Sequence, residues 1–181
     1  PINEVHIFLD GSSKKNDDGE PVGGYGFVVL GLSHVPWQFC GPVDAVLPTS
    51  DICECSALTR ACEYVLEHSA TDFPPNTSLC FWPDSGYSIG IATGSYRHPQ
   101  LGSWQRELTD RTWNKYQQVR TSFRNVRIQH CYSHTKVLLN DLADKLADDG
   151  REGNILFRHR SAHLPLGSDN AWHCLSLLNY P

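Results

Sequence analysis

Two short apolar runs constrain this chain more than any other feature. Val5-His6-Ile7-Phe8-Leu9 and Ser78-Leu79-Cys80-Phe81-Trp82 carry apolar side chains at consecutive positions, where a strand with one wet face would alternate. Strands of that kind need cover on both faces, so the two runs predict central strands of a sheet with helices on either side. Each run leads into an acid: the first is expected to end at Asp10, the second at Pro83-Asp84.

The rest of the pattern fits the same α/β class. Gly11-Ser12-Ser13 and the polar stretch to Pro21 read as a turn, with residues 24–30 returning as an antiparallel strand and residues 37–40 as a third strand stopped by Gly41-Pro42. Ala57, Leu58, Ala61, Cys62, Val65 and Leu66 recur at helical spacing, predicting a helix over 52–67 capped by Ser50 or Asp51. A short helix over 85–92 and a longer one over 103–123, continuous or broken, precede a last strand over 126–131. A final helix over 140–149 is expected to stop at Gly150. The periodicity then fades, so residues 151–181 read as an irregular extension packing on a domain formed by residues 1–150.

Composition narrows the class. With 181 residues, 40% hydrophobic and 19% charged, the chain suits one globular domain. It has no apolar run of about 18 residues to cross a membrane, and Pro1-Ile2-Asn3-Glu4 does not open like a signal peptide. The expected setting is intracellular, cytoplasm or nucleus, and not secreted. Seven cysteines without a CxxC pair predict buried, reduced thiols rather than a zinc site. The net charge of −5 excludes a global basic field, yet seven of the 15 bases fall within residues 97–127, opposed there only by Glu107 and Asp110. Such a local basic arm suits phosphate.

Two further acids stand in unusual places. Glu54 shares a helix face with Leu58, Ala61 and Val65, which points it at the core edge. A carboxylate there needs a partner, since desolvating it alone is costly. Asp144 shares a face with Asn140, Ala143 and Ala147, whose small alanines allow close approach to the sheet. His134 lies in the loop ten residues before Asp144. Carboxylates without paired Cys or His suit Mg²⁺, with Mn²⁺ as a substitute, rather than zinc. Two such ions about 4 Å apart can activate water and stabilise the leaving oxygen of a phosphodiester.

In order along the chain stand Phe8-Leu9-Asp10-Gly11-Ser12, Gly23-Gly24-Tyr25-Gly26, Glu54 opening an Ala/Leu-rich helix, Asp84-Ser85-Gly86-Tyr87, Ser133-His134-Thr135 and Asn140-Asp141-Leu142-Ala143-Asp144-Lys145-Leu146-Ala147. Over about residues 5–150 the chain resembles ribonuclease H of the cellular type and of retroelement polyproteins. The resemblance implies a five-stranded sheet in the order 3-2-1-4-5 with strand 2 antiparallel. It implies that Asp10, Glu54, Asp84 and Asp144 hold two Mg²⁺ ions, Asp10 bridging both, with His134 assisting proton handling or product release. The implied reaction is endonucleolytic hydrolysis of the RNA strand of an RNA–DNA hybrid, leaving a 5′-phosphate and a 3′-hydroxyl. Substrate contacts are expected from Gly11, Ser12, Ser50, Asn140, Arg106, Trp113, Arg120 and Arg124. The Asn140–Ala147 run looks closest to retroelement versions, which implies a fused or associated reverse transcriptase as partner.

Two other readings stand beside this one. A non-catalytic hybrid-binding or structural domain of a retroelement polyprotein would tolerate loss of a carboxylate, and none is missing. Related nucleases of the same broad fold place two acids two apart on the first strand, or end the acid set with Glu on a helix. Here Gly11-Ser12 follows Asp10 and the helix carries Asp144.

Overall fold

A computed structural model describes residues 3–96, 102–132 and 137–160 of the chain. β1 (Glu4–Lys15), β2 (Pro21–Leu30) and β3 (Trp37–Pro42) precede α1 (Ser50–Glu67), β4 (Ser78–Pro83), α2 (Gly86–Thr93), α3 (Ser103–Ser122), β5 (Asn125–Ile128), α4 (Leu138–Arg151) and β6 (Leu156–His159). The sheet runs β5-β4-β1-β2-β3-β6. β4 and β5 lie parallel to β1, while β2, β3 and β6 extend the sheet antiparallel on the other side. The expected five-strand order is therefore present, with a sixth strand added at the β3 edge.

The doubly apolar strands occupy the centre, as their composition requires. Val5, Ile7, Leu9, Leu79 and Phe81 pack against α1 and α3 in one core cluster, whereas Phe8, Cys80 and Trp82 face α4 in a second. His6 is the polar member of the apolar Val5–Leu9 run: fully buried, it accepts a hydrogen bond from Trp82 Nε1 at 3.1 Å through Nδ1. All six cysteines among the described residues are buried.

Several boundaries differ from the sequence reading. β1 does not end at Asp10 but continues to Lys15, because residues 11–15 find ladder partners in residues 21–25 of β2. Gly-Ser-Ser reads as a turn only until that cross-strand pairing is supplied. Thr49, not Ser50 or Asp51, caps α1 through its hydroxyl, and α3 is one unbroken helix. Gly150 does not stop α4: the helix passes through it to Arg151, and the missing side chain lets the helix lie on the backbone of Gly41. Residues 156–159 are an edge strand rather than irregular, pairing Cys40 with Leu156 and Gln38 with His159. Ser78–Pro83 and Gly86–Thr93 match expectation within a residue or two.

Glycines also bring α4 onto β2. A Cβ on Gly26 would sit 2.5 Å from Ala143 O and 2.6 Å from Leu146 Cβ, and one on Gly24 would overlap the backbone of Ala147 and Arg151. Gly26 is the cross-strand partner of Asp10, so this contact sets how near α4 comes to the acid. Gly26→Ala should therefore lower stability by about 1–3 kcal/mol, the usual range for overpacking a tight site, as read by chemical denaturation. An unchanged midpoint would show that α4 shifts freely.

Candidate active site

The acids meet where β1 and β4 part. Their parallel register runs from Glu4↔Ser78 to Leu9↔Pro83, and one step further sets Asp10 beside Asp84. Alternation puts both on the α4 side, in line with Phe8 and Trp82, whose rings stack with centroids 5.9 Å apart. Pro83 has no N–H to extend the ladder, and the chain turns there into α2, capped by Ser85. β1 continues alone with β2, leaving an opening between the strands.

Glu54 reaches that opening from the other face. Gly11 points toward α1, and a Cβ there would collide with the backbone of Cys53 and Glu54. The bare glycine lets the first turn of α1 lie directly on β1 beside Asp10. Carboxylate oxygens of Asp10, Glu54 and Asp84 consequently fall within 4.8 Å of one another. Asp10 and Glu54 are 5% and 6% exposed, whereas Asp84 is half-buried.

This crowding makes ionisation unfavourable. Burial, reinforced by the charges of Asp84 and Asp144, pushes the Asp10 carboxyl up to about 7. Its hydrogen bonds from Gly11 N, at 2.7 Å, and with Glu54 work in the opposite sense. Burial and then the Asp10 charge raise Glu54 well above the ordinary carboxyl range. Asp84 is raised by burial and by Asp144. Asp144 is exposed on α4 and stands outside the tight group of three, yet close enough for its charge to act on two of them. The buried Glu54 Oε2 has no hydrogen-bond partner among the described residues. Three converging carboxylates, an oxygen-only donor set and an unsatisfied buried oxygen fit a hard divalent cation such as Mg²⁺ or Mn²⁺.

The other expected site residues divide. Gly11 supports α1, and its N–H is taken by Asp10. The Ser12 hydroxyl donates to Asp148 Oδ1 at 2.6 Å and accepts from Arg151. Ser50 is exposed at the start of α1. Asn140 is buried, and its Oδ1 has no partner among the described residues. His134 lies outside the described residues.

Arg97 lies outside the described residues; the rest of the basic arm falls on helix α3 and the segment through β5, and part of it is already neutralised. Arg111 pairs with Glu63, and Arg127 with Glu4 at 2.6 Å. Arg106, Arg120 and Arg124 are exposed, as is Trp113 at 40%. They lie at different distances from the acids. α3 runs beside α1 in the same sense: Thr112 bonds Thr59 at 2.9 Å, and Phe123 packs on Phe73 beyond the end of α1. Arg106 is thus at the Glu54 end, while Arg124 shares a surface depression with Phe73 and Pro74 at the far end.

His130, outside the expected site residues, also stands at this end of the sheet. Its Nε2 lies 2.7 Å from the backbone carbonyl of Asp84, and its ring is 4.3 Å from that of Tyr132. The signal was present: β5 runs parallel to β4, so the residue just past β5 must fall near the end of β4.

The profile of the RNase H family matches residues 2–152. RNase H1 from the halophilic archaeon Halobacterium salinarum NRC-1 superimposes with a TM-score of 0.61 at 20% identity, covering 82% of this chain and 98% of that one. The N-terminal RNase H domain of a Mycobacterium tuberculosis protein gives 0.56 at 21% identity, over 82% and 94%. The foamy viral protease–reverse transcriptase in complex with an RNA/DNA hybrid gives 0.57 at 16% identity, over 81% of this chain but only 20% of the viral one. No protein of curated description matches significantly. Among the described residues, no helix is long and apolar enough to cross a membrane.

The raised Asp10 carboxyl has a consequence for stability. Between its ordinary value of 3.8 and about 7, the metal-free folded protein holds a proton that the unfolded chain has released. That contribution is complete below the ordinary value and is lost as the pH rises through about 7. Asn at this position has nothing to lose. In metal-free thermal melts, the stability of the parent relative to Asp10→Asn should therefore fall as pH increases across this window. Divalent cation should restore the parent alone. A difference independent of pH would contradict the crowded-acid description.

Proposed function

The chain belongs to the RNase H family, and on that premise we propose that it is an endoribonuclease that hydrolyses the RNA strand of RNA–DNA hybrids with Mg²⁺, leaving a 5′-phosphate and a 3′-hydroxyl. The observation that carries this reading is the meeting of Asp10, Glu54 and Asp84, from three separate elements, within 4.8 Å. Their crowding is unfavourable for stability alone, and a bound cation relieves it.

In this proposal Asp10, Glu54 and Asp84 are the inner metal ligands, and Asp144 closes the set from α4. Two divalent ions would supply Lewis acidity, lowering the pKa of the attacking water and stabilising charge on the leaving oxygen. The protein's part is to fix the geometry. β1 supplies a rigid backbone for Asp10, α1 fixes Glu54, and Asp84 stands in the turn directly after β4. His134 is assigned to proton handling, as the family resemblance implies. Water would attack phosphorus, the bond to the 3′-oxygen would break, and that oxygen would take up a proton.

RNA is distinguished from DNA by its 2′-hydroxyls, presented in the wide minor groove. Ser50 and Arg106 at this end of the molecule, with the exposed Trp113 further along α3, are the surface groups that we assign to the hybrid. The likeness to a viral protease–reverse transcriptase supports a working context beside a reverse transcriptase.

Purified protein with Mg²⁺ or Mn²⁺ should cut a labelled hybrid internally and spare duplex RNA and duplex DNA. Asp10→Asn should abolish cutting while leaving the fold intact by circular dichroism. Cleavage by Asp10→Asn at the parent rate would refute the ligand assignment.

The arginines should separate by position. Losing one phosphate contact should flatten the log–log salt dependence of hybrid binding by about one unit. Arg106→Gln should show that change and Arg124→Gln less of it, measured by fluorescence anisotropy. Equal slopes for both variants and the parent would remove α3 from the interface.

A further inference from the structure

Asp84 is the acid whose backbone is least secured by regular structure. Asp10 lies within β1 and Glu54 within α1, but Asp84 lies in the turn between Pro83 and the start of α2. On one side, the Ser85 hydroxyl accepts from Ser88 N at 3.3 Å, and Ser85 O accepts from Ile89 N at the same distance. On the other, the chain after β5 follows β4 outward beyond the last ladder pair. Gln129 N donates to Phe81 O at 2.9 Å and Cys131 N to Pro83 O at 2.8 Å.

The next carbonyl along, Asp84 O, is met not by a backbone N–H but by the His130 side chain, at 2.7 Å from Nε2. A carbonyl only accepts, so Nε2 carries the proton and donates. Tyr132, largely exposed, packs its ring 4.3 Å from the imidazole at an interplanar angle of 56°.

We propose that His130 is a positioning residue of the metal site: by donating from Nε2 to Asp84 O, it fixes the peptide that aims the Asp84 carboxylate at Asp10 and Glu54. This rests on the divalent-metal reading of the three acids. Without the donor, the peptide after Asp84 is free to rotate. Its carboxylate then leaves the group while β1, α1 and their packing stay unchanged. The effect should concentrate in metal affinity, because the remaining ligands cannot hold the ion as tightly. Outer partners that orient metal ligands typically contribute about 10–100-fold in affinity.

The test is Mn²⁺ binding by the full chain without substrate, followed by loss of the free-ion electron paramagnetic resonance signal. The series is parent, His130→Phe, His130→Gln, His130→Asn and Asp10→Asn. His130→Phe should bind Mn²⁺ at least about tenfold more weakly. His130→Gln, whose amide N–H can reach the same carbonyl, should recover most of the affinity, while the shorter His130→Asn should not. A purely structural role would make affinity follow melting temperature rather than donor reach. Should the Phe variant fail to fold, the Gln and Asn pair carries the comparison. Equal affinities for Gln and Asn, or full affinity in Phe, overturn the positioning role while leaving the metal site standing. Uptake by the parent no tighter than by Asp10→Asn overturns both.

Discussion

Three carboxylates repel one another at the fork between β1 and β4, and the rest of the structure is what holds them there. Two are nearly withdrawn from water, where unpaired negative charge is at its least favourable. Side-chain hydrogen bonds of Asp10 with Glu54 and Asp84 offset only part of that repulsion. The force comes from the doubly covered strands behind them: Phe8 stacked on Trp82 on one face, and Ile7, Leu9 and Phe81 packed under α1 and α3 on the other. Function here draws on stability generated elsewhere.

Glycine is the means by which the helices reach the acids. Gly11 lets α1 lie on β1 so closely that Glu54 joins Asp10 from the opposite face of the sheet. Gly24 and Gly26 let α4 sink onto β2, and Gly41 receives Gly150. The alanines of α4 complete that contact, with Ala143 and Ala147 fully buried and Asp144 left at the rim. A side chain at Gly11 or Gly26 would push a helix outward together with the acid it carries.

Much of this was legible from local pattern. The fully apolar runs identified β1 and β4, and helical spacing put Glu54 on a buried face. The parallel arrangement of the two runs is enough to bring Asp10 beside Asp84. What stayed hidden depended on partners far along the chain. Gly11-Ser12-Ser13 reads as a turn because its strand partners in residues 23–25 are not visible locally. Gly150 reads as a helix stop because its contact, Gly41, is over a hundred residues away. β6 is too short and too polar to announce itself, and becomes a strand by pairing with β3. His130 carries no local signal, since its partner is the Asp84 carbonyl just past the neighbouring strand.

If these carboxylates hold divalent metal, anomalous X-ray scattering from a crystal of the protein soaked in Mn²⁺ should show Mn²⁺ density in contact with Asp10, Glu54 and Asp84. Crystals saturated with Mn²⁺ that show the ion elsewhere, and none among these three side chains, would contradict that reading.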